Sequence, residues 1–364
     1  MELGELLALR PQPGAGLLVC LTRRCPLSCA HCSTDSGPAG GDQPLAEALL
    51  RFTATLTPAD HPEVMLLTGG EPLLRPGLVV ALAALARAAG TRTALLSGMF
   101  FAREDGRVPP AVLRAAVAVD HFSASLDIFH ERQVPRAAVF AAVRTIRDAG
   151  VPISFHLSGT GAADPYLADA TAAIRQTFGA GTAVLVNEVR PFGRAASWAA
   201  ARSAAADEGA GRLAPCAMAA WPVIGFDGTV LACCNQDTVD RRPVPPHLRL
   251  GHIAESSWPE VRHRATGSPT LRALRTLGPA RLGVPPAQDG RPATYCGTCR
   301  AVAEHPAALA TAARAGTGLV GEILDREAAR AQSREGARGL ARRYGCAAYA
   351  HLVRPGPGGE SSPR

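Results

Sequence analysis

Between residues 17 and 190 short apolar runs alternate with longer helical patterns, and this alternation restricts the fold more than any other feature of the chain. The apolar runs lie at 17–21, 64–67, 93–96, 119–126, 152–157 and 183–189; helical periodicity falls near 44–57, 77–89, 109–117, 135–149 and 164–178. Strands that are continuously apolar are buried on both faces. In regular alternation with helices they predict a parallel sheet with right-handed crossovers. Six strands are too many for a minor motif and two short of a closed eight-stranded barrel. Aromatic residues are only 5% of the chain against 47% hydrophobic, so Leu, Val and Ala must fill the core.

Directly after the first apolar run stands Cys25-Pro-Leu-Ser-Cys29-Ala-His-Cys32, a C-x3-C-x2-C spacing. Three thiolates this close can wrap one corner of an iron–sulfur cube. A 4Fe–4S cluster needs four ligands, so one iron would be left for an external ligand. Incomplete protein shells mark reactive metal sites, whereas structural sites are closed. The alternatives are a zinc site or unrelated buried thiols. No second His or Cys pair follows at the spacing of a zinc knuckle.

A second motif, Gly69-Gly70-Glu71-Pro72, follows the second apolar run. Glycines let a ligand approach the backbone, and Glu71 supplies a carboxylate able to pair with an amine. Both motifs then lie at the carboxyl-terminal edge of a parallel sheet, where ligand sites of such folds collect.

The two motifs in this order resemble the radical S-adenosylmethionine (SAM) superfamily over about residues 15–195. The resemblance implies a partial (β/α)6 barrel of the TIM type, with a 4Fe–4S cluster on Cys25, Cys29 and Cys32. It implies that Gly69, Gly70 and Glu71 bind the SAM amino group. Ser123, Ser125 and Asp127, in Phe-Ser-Ala-Ser-Leu-Asp, resemble the fourth-strand segment that contacts the SAM ribose and carboxylate; the alternative is a polar strand end. His31 stands where the family often has an aromatic residue. The third strand departs from the family's Thr-Asn-Gly ending and reads Leu96-Ser97-Gly98, which leaves open what that loop contacts.

Five more cysteines lie between residues 216 and 300. Cys216 precedes Gly228-x4-Cys233-Cys234, and Cys296-Gly-Thr-Cys299 comes last. Asp227-Gly228 between apolar runs is a hairpin signal that would bring Cys216 and Cys233 together. Four thiolates suffice for one closed site, and a zinc tetrahedron is one occupant the spacing allows. The segment resembles the SPASM/twitch extension of radical SAM proteins, which implies an auxiliary 4Fe–4S cluster on Cys216, Cys233, Cys296 and Cys299. Cys234 could replace Cys233. Cys20 and Cys346 read as buried thiols.

The expected organisation is a radical SAM core at 1–195, a small Cys-rich α+β auxiliary-cluster domain at 196–305, a C-terminal helical segment at 306–354 and a disordered tail at 355–364. Charges such as Glu322, Asp325, Arg326 and Glu327 are expected on a wet helix face. Asp127, His130, Glu131 and Arg194 are expected to line the mouth of the barrel, with a wet helix start as the alternative for His130 and Glu131.

Composition excludes some function classes. The net charge is +7, but all 38 basic residues are arginine and they are scattered, which argues against a nucleic-acid face. No signal peptide or membrane span is visible, so a cytoplasmic protein is expected. The resemblance implies reductive cleavage of SAM to a 5′-deoxyadenosyl radical that abstracts hydrogen from a substrate, with the auxiliary cluster accepting an electron. Two substrates stay open. One is a ribosomally made peptide that is cross-linked; the other is a small molecule, such as an aminocyclitol or sugar, that is dehydrogenated. The implied partners are an electron donor such as a flavodoxin or ferredoxin and, for a peptide, a separate leader-binding protein. About 16 residues precede the first strand, too few for a recognition domain.

Overall fold

The computed structural model describes residues 1–203, 214–285 and 294–354. The expected disordered tail at 355–364 lies outside the described residues. In chain order the elements are α1 (Leu3–Leu9), β1 (Gly16–Cys20), α2 (Ala46–Thr53), β2 (Val64–Thr68), α3 (Pro76–Ala89), β3 (Arg92–Ser97), α4 (Pro110–Ala118), β4 (His121–Ser125), the one-turn α5 (Ile128–Glu131), α6 (Arg136–Asp148), β5 (Ile153–Gly159), α7 (Pro165–Phe178), β6 (Ala183–Glu188) and α8 (Ala196–Ser203). There follow β7 (Val223–Ile224), β8 (Thr229–Leu231), α9 (Gln236–Val239), β9 (Arg249–His252), α10 (Trp258–Gly267), α11 (Pro269–Thr276), α12 (Tyr295–Ala301), α13 (Pro306–Gly316) and α14 (Gly318–Tyr344). The last helix breaks at Gly336, where φ is +64°.

Local signals set the helix boundaries. Pro76 opens α3 at a position whose N–H has no intrahelical acceptor, and Gly90 closes it in the left-handed region. Asp164 caps α7 by accepting from Tyr166 N, with Pro165 next.

The strands run β6-β5-β4-β3-β2-β1-β7-β8-β9. The first six are parallel and lie in sequence order, each paired to the next. This is the winding of a partial (β/α)6 barrel, and each of the six expected strands is present within about two residues of its apolar run. One sheet face packs on the helices: Val19, Leu67, Leu95, Phe122, Ala124 and Phe155 are buried in one large cluster. The other face lines the barrel. At its amino-terminal end, Val64, Ala94, Ala183 and Trp221 pack against α1, the end of α14 and the turns after it. At its carboxyl-terminal end the lining turns polar, with Ser123, Ser125, His156 and Asn187.

The rest of the chain closes the edges of this sheet. The Asp227-Gly228 hairpin forms as expected, with β7 and β8 antiparallel and Gly228 at φ +86°. It does not stand apart from the barrel: β7 pairs in parallel with β1 through Leu18↔Val223 and Val19↔Ile224. At the far edge Cys346 N donates to Val186 O at 2.8 Å, so the turn after α14 covers β6. Asp325 corrects the expectation of a wet face. It is buried and paired with Arg275 of α11, Nη2 to Oδ2 at 2.7 Å.

Candidate functional site

The loop that carries the first three cysteines continues β1. Leu21 N donates to Thr68 O, and Cys25 N to Gly37 O at 3.0 Å. Cys25 and Cys29 are buried and Cys32 is half-buried. Burial pushes the Cys25 thiol up to about 12. A buried thiol this hard to ionise becomes a thiolate when a metal takes the proton's place. Ser36 N lies 3.4 Å from Cys32 Sγ, and Gln133 Nε2 lies 3.5 Å from Cys29 Sγ. Donors aimed at sulfur are what tunes ligating thiolates.

Side chains from elsewhere hold this loop in shape. Arg194 donates to Cys29 O at 2.7 Å and to Ser36 O at 2.6 Å, while its own N–H bonds Cys32 O. Trp198 Nε1 bonds Ala30 O at 3.0 Å, and Gln133 Oε1 accepts from Ser28 N at 2.8 Å. Sequence reasoning placed Arg194 only loosely at the barrel mouth and missed Gln133 and Trp198. Their partners are main-chain atoms more than 100 residues away, so no local pattern marks them.

Gly69 and Gly70 are folded against the same loop. Gly70 N donates to Thr22 O at 2.6 Å and Glu71 N to Arg24 O at 2.9 Å. A Cβ at Gly70 would lie 2.4 Å from Arg24 O, and Gly69 has φ +135°. Both positions therefore require glycine. The Glu71 carboxylate is fully buried and accepts from Leu73 N, Gly98 N and the Ser97 hydroxyl at 2.9–3.0 Å. Burial raises Glu71 to about 7 against these donors. The Leu96-Ser97-Gly98 turn, whose contacts the sequence left open, is thus bonded to Glu71.

Asp127 caps α5, its Oδ1 accepting from Phe129 N and His130 N at 3.0 Å each. Its Oδ2 faces two imidazoles, His31 Nε2 at 3.2 Å and His130 Nδ1 at 3.0 Å. Burial would raise Asp127, but His130 and His31 outweigh it and hold the carboxyl well below its usual range. Burial likewise works against a charged His130, yet Asp127 and Cys29 lift it to about 10. His31 also stacks on Phe129, ring centroids 4.5 Å apart. His130 is therefore part of a buried cluster and not a wet helix start. Both oxygens of Asp127 are engaged, and its side chain is 1% exposed. Ser123 Oγ accepts from Ser154 at 3.1 Å; Ser123 and Ser125 share the barrel-facing side of β4, on which His156 of β5 also stands. Sequence reasoning missed His156 and the Asn187 amide bonded to it, because a single polar residue in an apolar strand carries no signal of its partner.

The second cysteine group also comes together. Thr294 caps α12 by accepting from Gly297 N, which sets Cys296 and Cys299 one turn apart. Burial raises the thiols of Cys216, Cys233, Cys296 and Cys299, and each is raised further by the charge of others in the group. Asn235 N donates to Cys233 Sγ at 3.4 Å. Among the described residues no three cysteine sulfurs lie within 4.8 Å of one another. Zinc–thiolate bonds of about 2.3 Å would draw them within about 4 Å.

Residues 19–170 match the family model described as the Radical SAM superfamily. PqqA peptide cyclase of Gluconobacter oxydans (strain 621H) is 32% identical over 157 residues, which cover 40% of this chain and 42% of the relative. The chain thus spans less than half the length of that curated relative. Among solved structures, SuiB of Streptococcus suis bound to S-adenosylmethionine superposes with TM-score 0.47 at 11% identity, covering 68% of this chain and 65% of that one. Native anSMEcpe with bound AdoMet and a Cp18Cys peptide superposes with TM-score 0.44 at 12% identity, covering 68% and 79%. No helix among the described residues is long and apolar enough to cross a membrane.

Proposed function

We propose, from the premise that this is a radical SAM protein whose radical SAM domain spans residues 19–170, that the chain is a peptide-modifying radical SAM oxidoreductase. The observation that carries this reading is the loop from Cys25 to Ser36, fixed by Arg194, Trp198 and Gln133 against the Gly69-Gly70 turn. A three-thiolate cluster and SAM supply, when bound, the one-electron cleavage that yields a carbon radical.

The chain's own residues have narrower tasks. Cys25, Cys29 and Cys32 would hold the cluster and leave one iron free. Gly69 and Gly70 keep the backbone close enough to receive the SAM amino group. Glu71 would act through the turn it pins, because its carboxylate is sealed by Ser97 and Gly98. Asp127 would act as a strut: its buried carboxylate caps α5 and faces His31 and His130 beside Cys29. Ser123 and Ser125, with the polar lining at His156 and Asn187, are the groups left to meet SAM and substrate inside the barrel.

A peptide substrate is favoured by the relation to PqqA peptide cyclase, with a separate leader-binding protein and an external electron donor as partners. An auxiliary 4Fe–4S cluster on Cys216, Cys233, Cys296 and Cys299 would accept an electron from the product radical. The first test is iron per chain after anaerobic reconstitution. Wild type should bind about eight irons, and the Cys25→Ala/Cys29→Ala/Cys32→Ala variant about four. Four falling to none, with zinc bound, would make the second group structural and the oxidative reading untenable.

A further inference from the structure

A cavity of about 410 Å³ opens to solvent between the proline-rich run 243–246 and the end of α12 with the turn after it. Three arginines line it, Arg241, Arg242 and Arg300, against one carboxylate, Glu304. Arg242 is already neutralised, its Nε donating to Asp227 Oδ2 at 2.9 Å. Among the described residues Arg241 and Arg300 pair with no carboxylate, and Arg300 Nη1 is buried without an acceptor. Two free cations against Glu304 leave one positive charge over. A partly sheltered cation without a counter-charge attracts an anion more strongly than one in open water. The opposite wall offers a different contact. Pro243, Pro245 and Pro246 carry no N–H, so an anion finds its main donors on the arginines while the prolines give apolar surface. Their rings also fix the backbone, so this wall needs little ordering when a ligand binds. Each wall is tied to one of the cysteine groups. Arg23 Nη1 donates to Asp240, the residue before Arg241, at 3.3 Å, and Arg23 stands two residues before Cys25. The other wall is α12, which carries Cys296 and Cys299.

We propose that this cavity binds an acidic residue of the peptide substrate, its carboxylate held by Arg300 and Arg241 and the adjoining peptide laid against the prolines. The inference rests on the peptide-modifying reading above. The volume is that of a ligand pocket and admits a few residues, not a folded partner. One surplus positive charge matches one carboxylate. A phosphate dianion would keep a charge unmatched and face Glu304 with it. Glu304 at the same rim can instead accept from a peptide N–H, a donor that a bare anion lacks. Charge at such a rim selects among peptides as much as it holds them.

The test is fluorescence anisotropy on the reconstituted full chain. The probe is a capped pentapeptide with one glutamate among alanines and an uncharged dye. Its glutamine counterpart should bind about tenfold more weakly, the loss for one charge-assisted hydrogen-bonded pair. Arg300→Gln should weaken the glutamate peptide by about the same factor, and the exposed Arg241→Gln by about threefold. Glu304→Gln removes the like charge and should tighten that peptide by about threefold. None of the three should change binding of the glutamine peptide. If Arg300→Gln loads less iron than wild type, the Arg241→Gln and Glu304→Gln arms decide, since both side chains are exposed. Equal affinity for the two peptides, or weaker binding of the glutamate peptide to Glu304→Gln, would overturn the proposal. Inorganic phosphate that displaces the peptide at concentrations well below the peptide's own dissociation constant would also overturn it, in favour of a phosphate site. The assay needs neither SAM nor an electron, so its failure leaves the peptide-modifying reading standing. Absence of the first cluster's iron from the same wild-type samples would instead overturn that reading.

Discussion

Asp325→Ala is expected to cost about 3–5 kcal/mol of folding free energy, the range for removing one partner of a buried ion pair. The pair is bidentate, Arg275 Nε to Oδ1 at 2.8 Å and Nη2 to Oδ2 at 2.7 Å, with side chains 3% and 8% exposed. Arg275 Nη1 goes on to the carbonyls of Ala265 at 3.0 Å and Ala219 at 3.3 Å. One guanidinium thus joins α10, α11, α14 and the turn after Cys216. Without Asp325 the cation stays buried with two of its donors unmet. Arg275→Met combined with Asp325→Leu should recover most of the loss, because an apolar pair of similar volume carries no desolvation penalty. Urea unfolding monitored by circular dichroism measures both variants. A loss below about 1 kcal/mol for Asp325→Ala is what an exposed pair would give, and would mean that this junction contributes little to stability.

Asp325 also marks where the sequence stops being readable. In the run Glu322, Asp325, Arg326, Glu327 it looks like one more charge on a solvated helix. Its partner is 50 residues away, and nothing within one helical turn distinguishes it from Glu327, which is exposed. His130 has the same character. It looks like part of a wet helix start, and only the loop bearing His31, about a hundred residues earlier, joins it and Asp127 in a buried cluster. The barrel strands were legible for the opposite reason. A strand covered on both faces must be apolar at nearly every position, so Val64–Thr68 or Ala183–Glu188 declares itself without knowledge of its neighbours. The Asp227-Gly228 turn is likewise local chemistry, and it was readable. That β7 joins β1 was not: two residues are too short for a pattern, and their pairing spans some 200 positions. The cysteine spacings are an intermediate case. They announce ligands, but the side chains that hold the first cysteine loop in shape (Gln133, Arg194, Trp198) come from outside any motif.

Gly70→Ala should abolish most SAM cleavage while leaving the fold intact. The added methyl would lie 2.4 Å from Arg24 O, 2.7 Å from Arg23 O and 2.9 Å from Arg23 C. These are main-chain atoms, so no side-chain rotation relieves the overlap. Residues 23–24 or the Gly69-Gly70 turn must move by roughly 1 Å, and displacements of that size at a reacting centre cost about 100-fold in rate. Cys25 is the next residue along, so the same shift reaches the cluster loop. The expected result is a drop of about 100-fold or more in reductive SAM cleavage, with weakened SAM binding and an unchanged circular dichroism spectrum. Gly77→Ala serves as the control. It sits near the start of α3 with nothing within 4 Å of its Cβ position, and should leave cleavage unaltered while stabilising the helix by about 0.5–1 kcal/mol. Wild-type cleavage in Gly70→Ala would show that the turn yields without disturbing Cys25. The tight seating of the Gly-Gly backbone on residues 22–24 would then have no part in placing SAM, and its role in the proposed function would fall to Ser123 and Ser125.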